Sequence, residues 1–262
     1  MFLKEKIKSG YRAAGCMMRA MRNTVVAVLA RQAGLDYVML DCEHGSYDFQ
    51  TLHDMFIALN LNSVAGFVRV PELSKGNVSR VLDCGAAGVM IPMVNSVEQA
   101  ELAVKYSKYK PVGGRGFIAA NGFNEYDARG MSHAQIMEEQ NKRVITIAQI
   151  ESKNAIDHIE EIAAVDGLDA MLIGQSDLSI SYDLPGDFKH PVVQDAVRKV
   201  ANACKKRGKI FGLATEFPNF DNFLPDVGII LQGTDLAFLK QGMKKLADFR
   251  DENQKSGMHR SV

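Results

Sequence analysis

Four ionisable side chains, Asp41, Glu43, His44 and Asp48, fall within eight positions of the stretch "VMLDCEHGSYD", directly after an apolar run. Asp41 precedes His44 by three residues, a spacing that lets a carboxylate orient an imidazole and raise its basicity for proton transfer. Three more apolar runs end in charge: "GFVRVP" in Arg69, "ITIAQIE" in Glu151 and "MLIGQSDLS" in Asp177. Glu151 and Asp177 on neighbouring strand ends suit a hard divalent ion such as Mg²⁺ or Mn²⁺, which keeps positions open for substrate and water. As a helix cap and a solvent-facing group, the same two residues would do no chemistry. A guanidinium leaving an apolar strand is costly unless paired. Arg69 therefore needs Glu43 or Asp41, an anionic substrate, or both.

Short strands must hold these groups. Runs rich in Val, Ile, Leu and Met, apolar on both faces, predict strands at Gly15–Ala20, Asp36–Asp41, Ala65–Val70, Gly88–Pro92, Val144–Ile150, Asp169–Gly174, Lys209–Ala214 and Val227–Gln232. Helical periodicity fills the gaps. Val97–Ser107 carries an apolar stripe behind a Ser96/Gln99 capping pattern. Pro191–Arg207 has Pro191 at its first position, Val193, Val197, Val200 and Cys204 on one face, and Gly208 as its stop. Strands alternating with helices over 262 residues predict a single (β/α)8 barrel domain, residues 1–262, with a doubly wound open sheet as the alternative. In such a barrel, catalytic groups come from the C-terminal strand ends, which gathers the charges at one mouth. The long segment between Pro92 and Val144 breaks the rhythm. Extra length of this kind on the catalytic side shapes a pocket or an oligomer contact.

Bulk composition narrows the function. The 31 basic and 31 acidic residues cancel, giving no global attraction to nucleic acid or an anionic membrane. The four cysteines form no CxxC pair, as free thiols in a reducing cytoplasm would read. No uncharged run approaches the ~18 residues of a membrane span. "GGRG" at 113–116 lacks the spacing of a dinucleotide fingerprint, and no Walker motif occurs. A soluble, cytoplasmic protein is expected.

Taken in order, "GLDYVMLDCEHGSYD", "VRVP", "VLDCGAAGVMIPMVNSVEQAE", "GGRGF", "IAQIES", "IAAVDGLDAMLIGQSDLS" and "HPVVQDAV" resemble the HpcH/HpaI aldolase family, from about Gly15 to Gln232. The resemblance implies a class II pyruvate aldolase on a modified (β/α)8 barrel. It implies that Glu151 and Asp177 hold Mg²⁺, Mn²⁺ or Co²⁺, and that a 2-oxo acid binds there. Gln149, Gly174 and Ser176 would seat that acid, Arg69 would stabilise the enolate oxygen, and His44, supported by Asp41, would move the proton. Asp83 matches a family aspartate that approaches a neighbouring subunit's site. The family expectation is a hexamer, a trimer of dimers with exchanged C-terminal helices; Leu236, Leu239, Met243 and Leu246 form an apolar stripe on that last helix.

The departures concern the second substrate. Met17 stands where the family usually has tryptophan, Gln175 where it has proline, and "GGRG" replaces "GIRG". Arg19 and Arg22 lie near the end of the first strand and would add positive charge at the mouth. Two reactions stay open: reversible aldol cleavage releasing pyruvate, and a citrate-synthase-like condensation of oxaloacetate with acetyl-CoA in siderophore biosynthesis. A non-catalytic oxo-acid sensor is the reading from another class. An acid–base group and an arginine beside a metal pair argue against it.

Overall fold

The computed structural model describes residues 2–214 and 219–258. In chain order the elements are α1 (Leu3–Lys8), β1 (Ala13–Met18), α2 (Val25–Gln32), β2 (Tyr37–Asp41), α3 (Phe49–Leu61), β3 (Ala65–Arg69), α4 (Lys75–Asp83), β4 (Gly88–Ile91) and α5 (Val97–Ser107). There follow α6 (His133–Arg143), β5 (Ile145–Ile150), α7 (Lys153–Asp157), α8 (Ile159–Ala164), β6 (Ala170–Gly174), α9 (Gln175–Ser181), α10 (Pro191–Arg207), β7 (Ile210–Ala214), β8 (Val227–Thr234) and α11 (Asp235–Met258). All eight strands pair in parallel and in sequence, and β8 closes on β1. The barrel is thus closed; the open-sheet alternative is excluded.

Side-chain parity explains why the mouth is charged. Successive strand residues point to opposite faces. Met17, Tyr37, Met39, Phe67, Ile145, Ile147 and Leu172 fill the lumen, while Val38, Leu40, Val68, Ala148 and Ile173 pack against the helices. Continuing each inward row toward the C-terminal end reaches Arg19, Asp41, Arg69, Gln149 and Gly174. The same alternation that fills the lumen with hydrocarbon therefore delivers the polar residues to its top. Packing below is tight: Tyr37 and Phe67 stack with ring centroids 4.7 Å apart. A side chain on Gly15 would collide with the Tyr37 ring.

Several sequence expectations need adjustment. β1 begins earlier than Gly15 and ends at Met18, so Arg19 and Ala20 lie in the following loop. The long segment after β4 is not on the mouth side. α5 carries the chain back to the N-terminal end, so the additional residues accumulate there. Lys108, just past α5, is buried against Asp169, just before β6, with Nζ 2.6 Å from Oδ2. Lys4 approaches the other oxygen of the same carboxylate at 2.5 Å. α5 and α10 span the expected residues, and Gly208 ends α10 in the left-handed region at φ 62°. The stripe on α11 is not packed as an ordinary outer helix would be: Leu236, Leu239, Met243 and Leu246 are all exposed. Among the described residues, no helix is long and apolar enough to cross a membrane.

Candidate active site

Asp41 and Arg69 are register partners at the ends of β2 and β3. The Asp41 carboxylate is fully buried and accepts two parallel bonds from Arg69, Nε to Oδ1 at 2.9 Å and Nη2 to Oδ2 at 2.8 Å. This fork-to-fork geometry combines charge with direction. Glu43 adds a third contact, Oε2 lying 2.9 Å from Arg69 Nη1, and Arg19 donates from Nε to Asp41 Oδ2 at 3.0 Å. Burial pushes the Asp41 carboxyl up, but the bonds and charge of Arg69, the His44 N–H and the charge of Arg19 outweigh it and hold the group below its ordinary value. Burial likewise weakens the Arg69 cation, and Asp41 and Glu43 more than compensate. The arginine that the sequence required to be paired is paired twice.

The expected Asp41–His44 couple takes a different form. Asp41 Oδ1 accepts the backbone N–H groups of Glu43, at 3.2 Å, and His44, at 3.3 Å, rather than the imidazole. With both oxygens occupied by Arg69, and Arg19 on one of them, the carboxylate is committed to the arginines. It fixes the loop from which His44 projects, and the ring itself lies exposed at the mouth.

Glu151 continues the inward row of β5 and is 2% exposed. Its Oε1 accepts from the Met93 backbone N–H at 2.8 Å, and its Oε2 from Gln149 Nε2 at 2.6 Å. Met93 supplies that N–H from the left-handed region, φ 51°, a strained conformation for a residue with a side chain. Gly174 is obligatory here, because a Cβ would overlap Glu151 Oε2 and come within 2.7 Å of Gln149 Nε2. Burial first, then the negative charges of Asp177 and Glu43, push the Glu151 carboxyl up to about 7, against the opposing Met93 N–H and Arg69. Gln149 Oε1 is buried with no hydrogen-bond partner among the described residues.

Arg19, His44, Arg69, Gln149, Gly174, Ser176 and Asp177 line one cavity of about 360 Å³ at the C-terminal mouth, with Asp41 and Glu151 immediately behind them. Two expected residues are elsewhere. Arg22 turns outward and donates from Nη2 to the Ser46 carbonyl and, at 2.7 Å, to Ser46 Oγ. Asp83 ends α4 away from this mouth and pairs with the buried Arg115 at 2.5 Å.

One group escaped the sequence reading. Asp235, 2% exposed at the start of α11, accepts backbone N–H groups from Ala20 at 2.8 Å, Met21 at 2.7 Å, Arg19 at 3.2 Å and Leu236 at 2.9 Å. Burial raises its carboxyl, and those four N–H groups pull it below its ordinary value. "GTDL" reads in sequence as an unremarkable helix start; nothing local signals that its aspartate holds a loop more than two hundred residues away.

A divalent ion at this mouth would have to be held by this donor set. Among the described residues there is no cluster of three or more His, Cys, Asp or Glu side chains able to hold a metal. There is a pair of hard oxygen donors, Glu151 and Asp177, and after burial the negative charge of Asp177 adds to what raises the Glu151 carboxyl. The Gln149 oxygen, unpartnered among the described residues, lies beside Glu151, and the missing side chain at Gly174 makes room for the Glu151 carboxylate itself. These features fit a hard cation that draws its remaining ligands from substrate and water.

A closed (β/α)8 barrel with an acidic pair, a doubly anchored arginine and an exposed histidine at its C-terminal mouth has the layout of a barrel enzyme. The chain belongs to the HpcH/HpaI aldolase/citrate lyase family, whose model matches residues 16–237. A 5-keto-4-deoxy-D-glucarate aldolase of Klebsiella pneumoniae is 34% identical over 236 residues, covering 89% of this chain and 90% of that protein. The crystal structure of an HpcH/HpaI aldolase from Desulfitobacterium hafniense superposes with a TM-score of 0.89 at 31% identity, covering 96% of this chain and 97% of the other. The citrate synthase SbnG superposes at 0.84 with 26% identity, covering 98% and 99%.

Proposed function

We propose that the protein makes and breaks a carbon–carbon bond next to a 2-oxo acid through an enolate, with a divalent ion held by Glu151 and Asp177. The observation that carries this reading is the buried Glu151 carboxylate at the end of β5, just behind a cavity that Arg69, Gln149, Gly174 and Asp177 line together. When bound, Mg²⁺, Mn²⁺ or Co²⁺ would draw electron density from the carbonyl and carboxylate oxygens of the oxo acid. The chain's own residues do the rest. Gln149 and the backbone at Gly174 and Ser176 seat the carboxylate end. Arg69, immobilised by Asp41 and Glu43, keeps N–H groups aimed into the cavity for the oxygen on which charge develops. Its preorganisation means that little has to move when that charge appears. His44 takes the proton from the hydroxyl that becomes the aldehyde, the bonding pair of the cleaved bond passes into the enolate, and the proton returns to the enolate carbon.

Treatment with a chelator should abolish pyruvate release from a 4-hydroxy-2-oxo acid, and Mg²⁺ or Mn²⁺ should restore it. Turnover by metal-free Glu151→Ala protein would overturn the reading. A second reading, condensation of oxaloacetate with acetyl-CoA in siderophore biosynthesis, is favoured by the added cation Arg19 at the mouth and by the full-length likeness to a citrate synthase. Release of free CoA with formation of citrate distinguishes it. The exposed stripe of α11 supports assembly with further copies, up to a dimer-based hexamer in which Asp83 serves a neighbouring site. A stable, active monomer in sedimentation would remove that part. Cytoplasmic placement and action on small oxo acids rather than nucleic acid or membrane belong to the same proposal.

A further inference from the structure

In a closed ring of eight strands, β1 is diametrically opposite β5, which carries the start of the acidic pair. Arg19, just past β1, lines the same cavity as Asp177 and Gln149. A substrate held by its oxo-acid end on the β5–β6 side therefore projects its far end toward β1. What it meets there is a half-exposed guanidinium, 39% accessible, whose Nε is committed to Asp41. Neither terminal NH2 group of Arg19 has a partner among the described residues. A fork of N–H donors with one edge anchored and the other free matches the geometry of a carboxylate.

The anchoring extends one layer deeper. Asp235 gathers the N–H groups of Arg19, Ala20 and Met21 on one buried carboxylate, so the backbone that launches Arg19 is fixed as firmly as its Nε. Arg22, three residues on, lacks this arrangement and turns away to Ser46. A side chain left to solvent would need neither device.

We propose that Arg19 is a specificity-determining residue that binds a second carboxylate at the end of the substrate remote from the oxo acid, and that Asp235 is the positioning residue that aims it. The inference rests on the enolate reading above, and the test separates the two. Wild-type protein with Mg²⁺ is first assayed for exchange of pyruvate methyl protons in D2O; absence of exchange defeats the enolate reading and leaves specificity unaddressed by that arm. Addition of pyruvate is then measured to butanal, to the same four-carbon aldehyde ending in carboxylate, and to 3-oxopropyl phosphate.

The wild type should favour the carboxylate-ended aldehyde. Arg19→Ala should reduce that preference in kcat/KM by about ten- to a hundredfold, the range of one lost hydrogen-bonded charge contact. Arg19→Lys should recover part of it. Asp235→Asn should shift KM for the carboxylate-ended aldehyde more than kcat, and should disturb butanal addition far less. An undiminished preference in Arg19→Ala would overturn the proposal. So would a loss confined to the phosphate-ended aldehyde, which would assign the arginine to phosphate.

Discussion

Both ends of the barrel carry buried charge, and they handle it differently. At the N-terminal end, Asp169 receives Lys4, Lys108 and the Thr146 N–H, and Lys108 also donates to the Val144 carbonyl. Burial pushes the Lys108 ammonium down to about 8, with the opposing pull of Asp169 only partly restoring it. Each of these three charges faces another charge or a carbonyl. At the mouth, Asp41 and Arg69 are equally well paired, but among the described residues the two NH2 groups of Arg19 and the side-chain oxygen of Gln149 have no partner, and Glu151 has the charge of a second carboxylate near it. Buried charge satisfied within the chain is architecture. Polar groups left unpartnered around a cavity mark a place where a ligand can bind.

The contrast is broken most severely at Glu151. Glu151→Ala should lower turnover by about 10³-fold or more, since it removes one of the two carboxylates proposed to hold the divalent ion. Stability should fall little, because the variant also relieves repulsion; parallel activity and denaturant titrations read both. Asp169→Ala should do the reverse. It strands two buried ammonium groups and should cost about 3–5 kcal/mol in chemical denaturation, while activity per folded molecule stays close to wild type. Arg69→Ala should cost about 10²–10³ in kcat, and Arg69→Lys should be poor as well, because an ammonium cannot satisfy Asp41 and Glu43 together. A change in KM alone would make Arg69 a binding group.

The smallest effect is a slope with pH. The fold raises the Glu151 carboxyl toward 7, so between its ordinary 4.5 and about 7 the native state binds more protons than the unfolded chain. The contribution of this group to stability is therefore greatest at low pH and is lost as pH rises through that window. A divalent ion, which needs the carboxylate ionised, should stabilise most above pH 7 and progressively less below it. Melting temperatures of wild type and Glu151→Gln, with and without Mg²⁺, should diverge by on the order of 2–8 °C. Identical pH slopes in the two proteins would remove this account of Glu151.

The readable part of this molecule was its periodicity. Apolar runs marked every strand, and the charges closing them marked the mouth, because inward parity carries a row such as Ile145, Ile147, Gln149 straight into Glu151. Contacts between residues distant in the chain were not readable. Asp41 stands close to His44 in sequence, yet the pairing of β2 with β3 offers it a stronger partner in Arg69. The side of the barrel taken by the segment after α5 follows from helix direction rather than composition. Asp235 is the extreme case: its partners are backbone N–H groups, which every residue but proline possesses and which no motif records.

Asp235 is also the first residue of α11. The carboxylate that fixes the Arg19 loop is thus also the residue from which a long, mostly exposed helix departs, so one side chain joins the first loop of the mouth to the last helix of the chain, and neither can shift without the other.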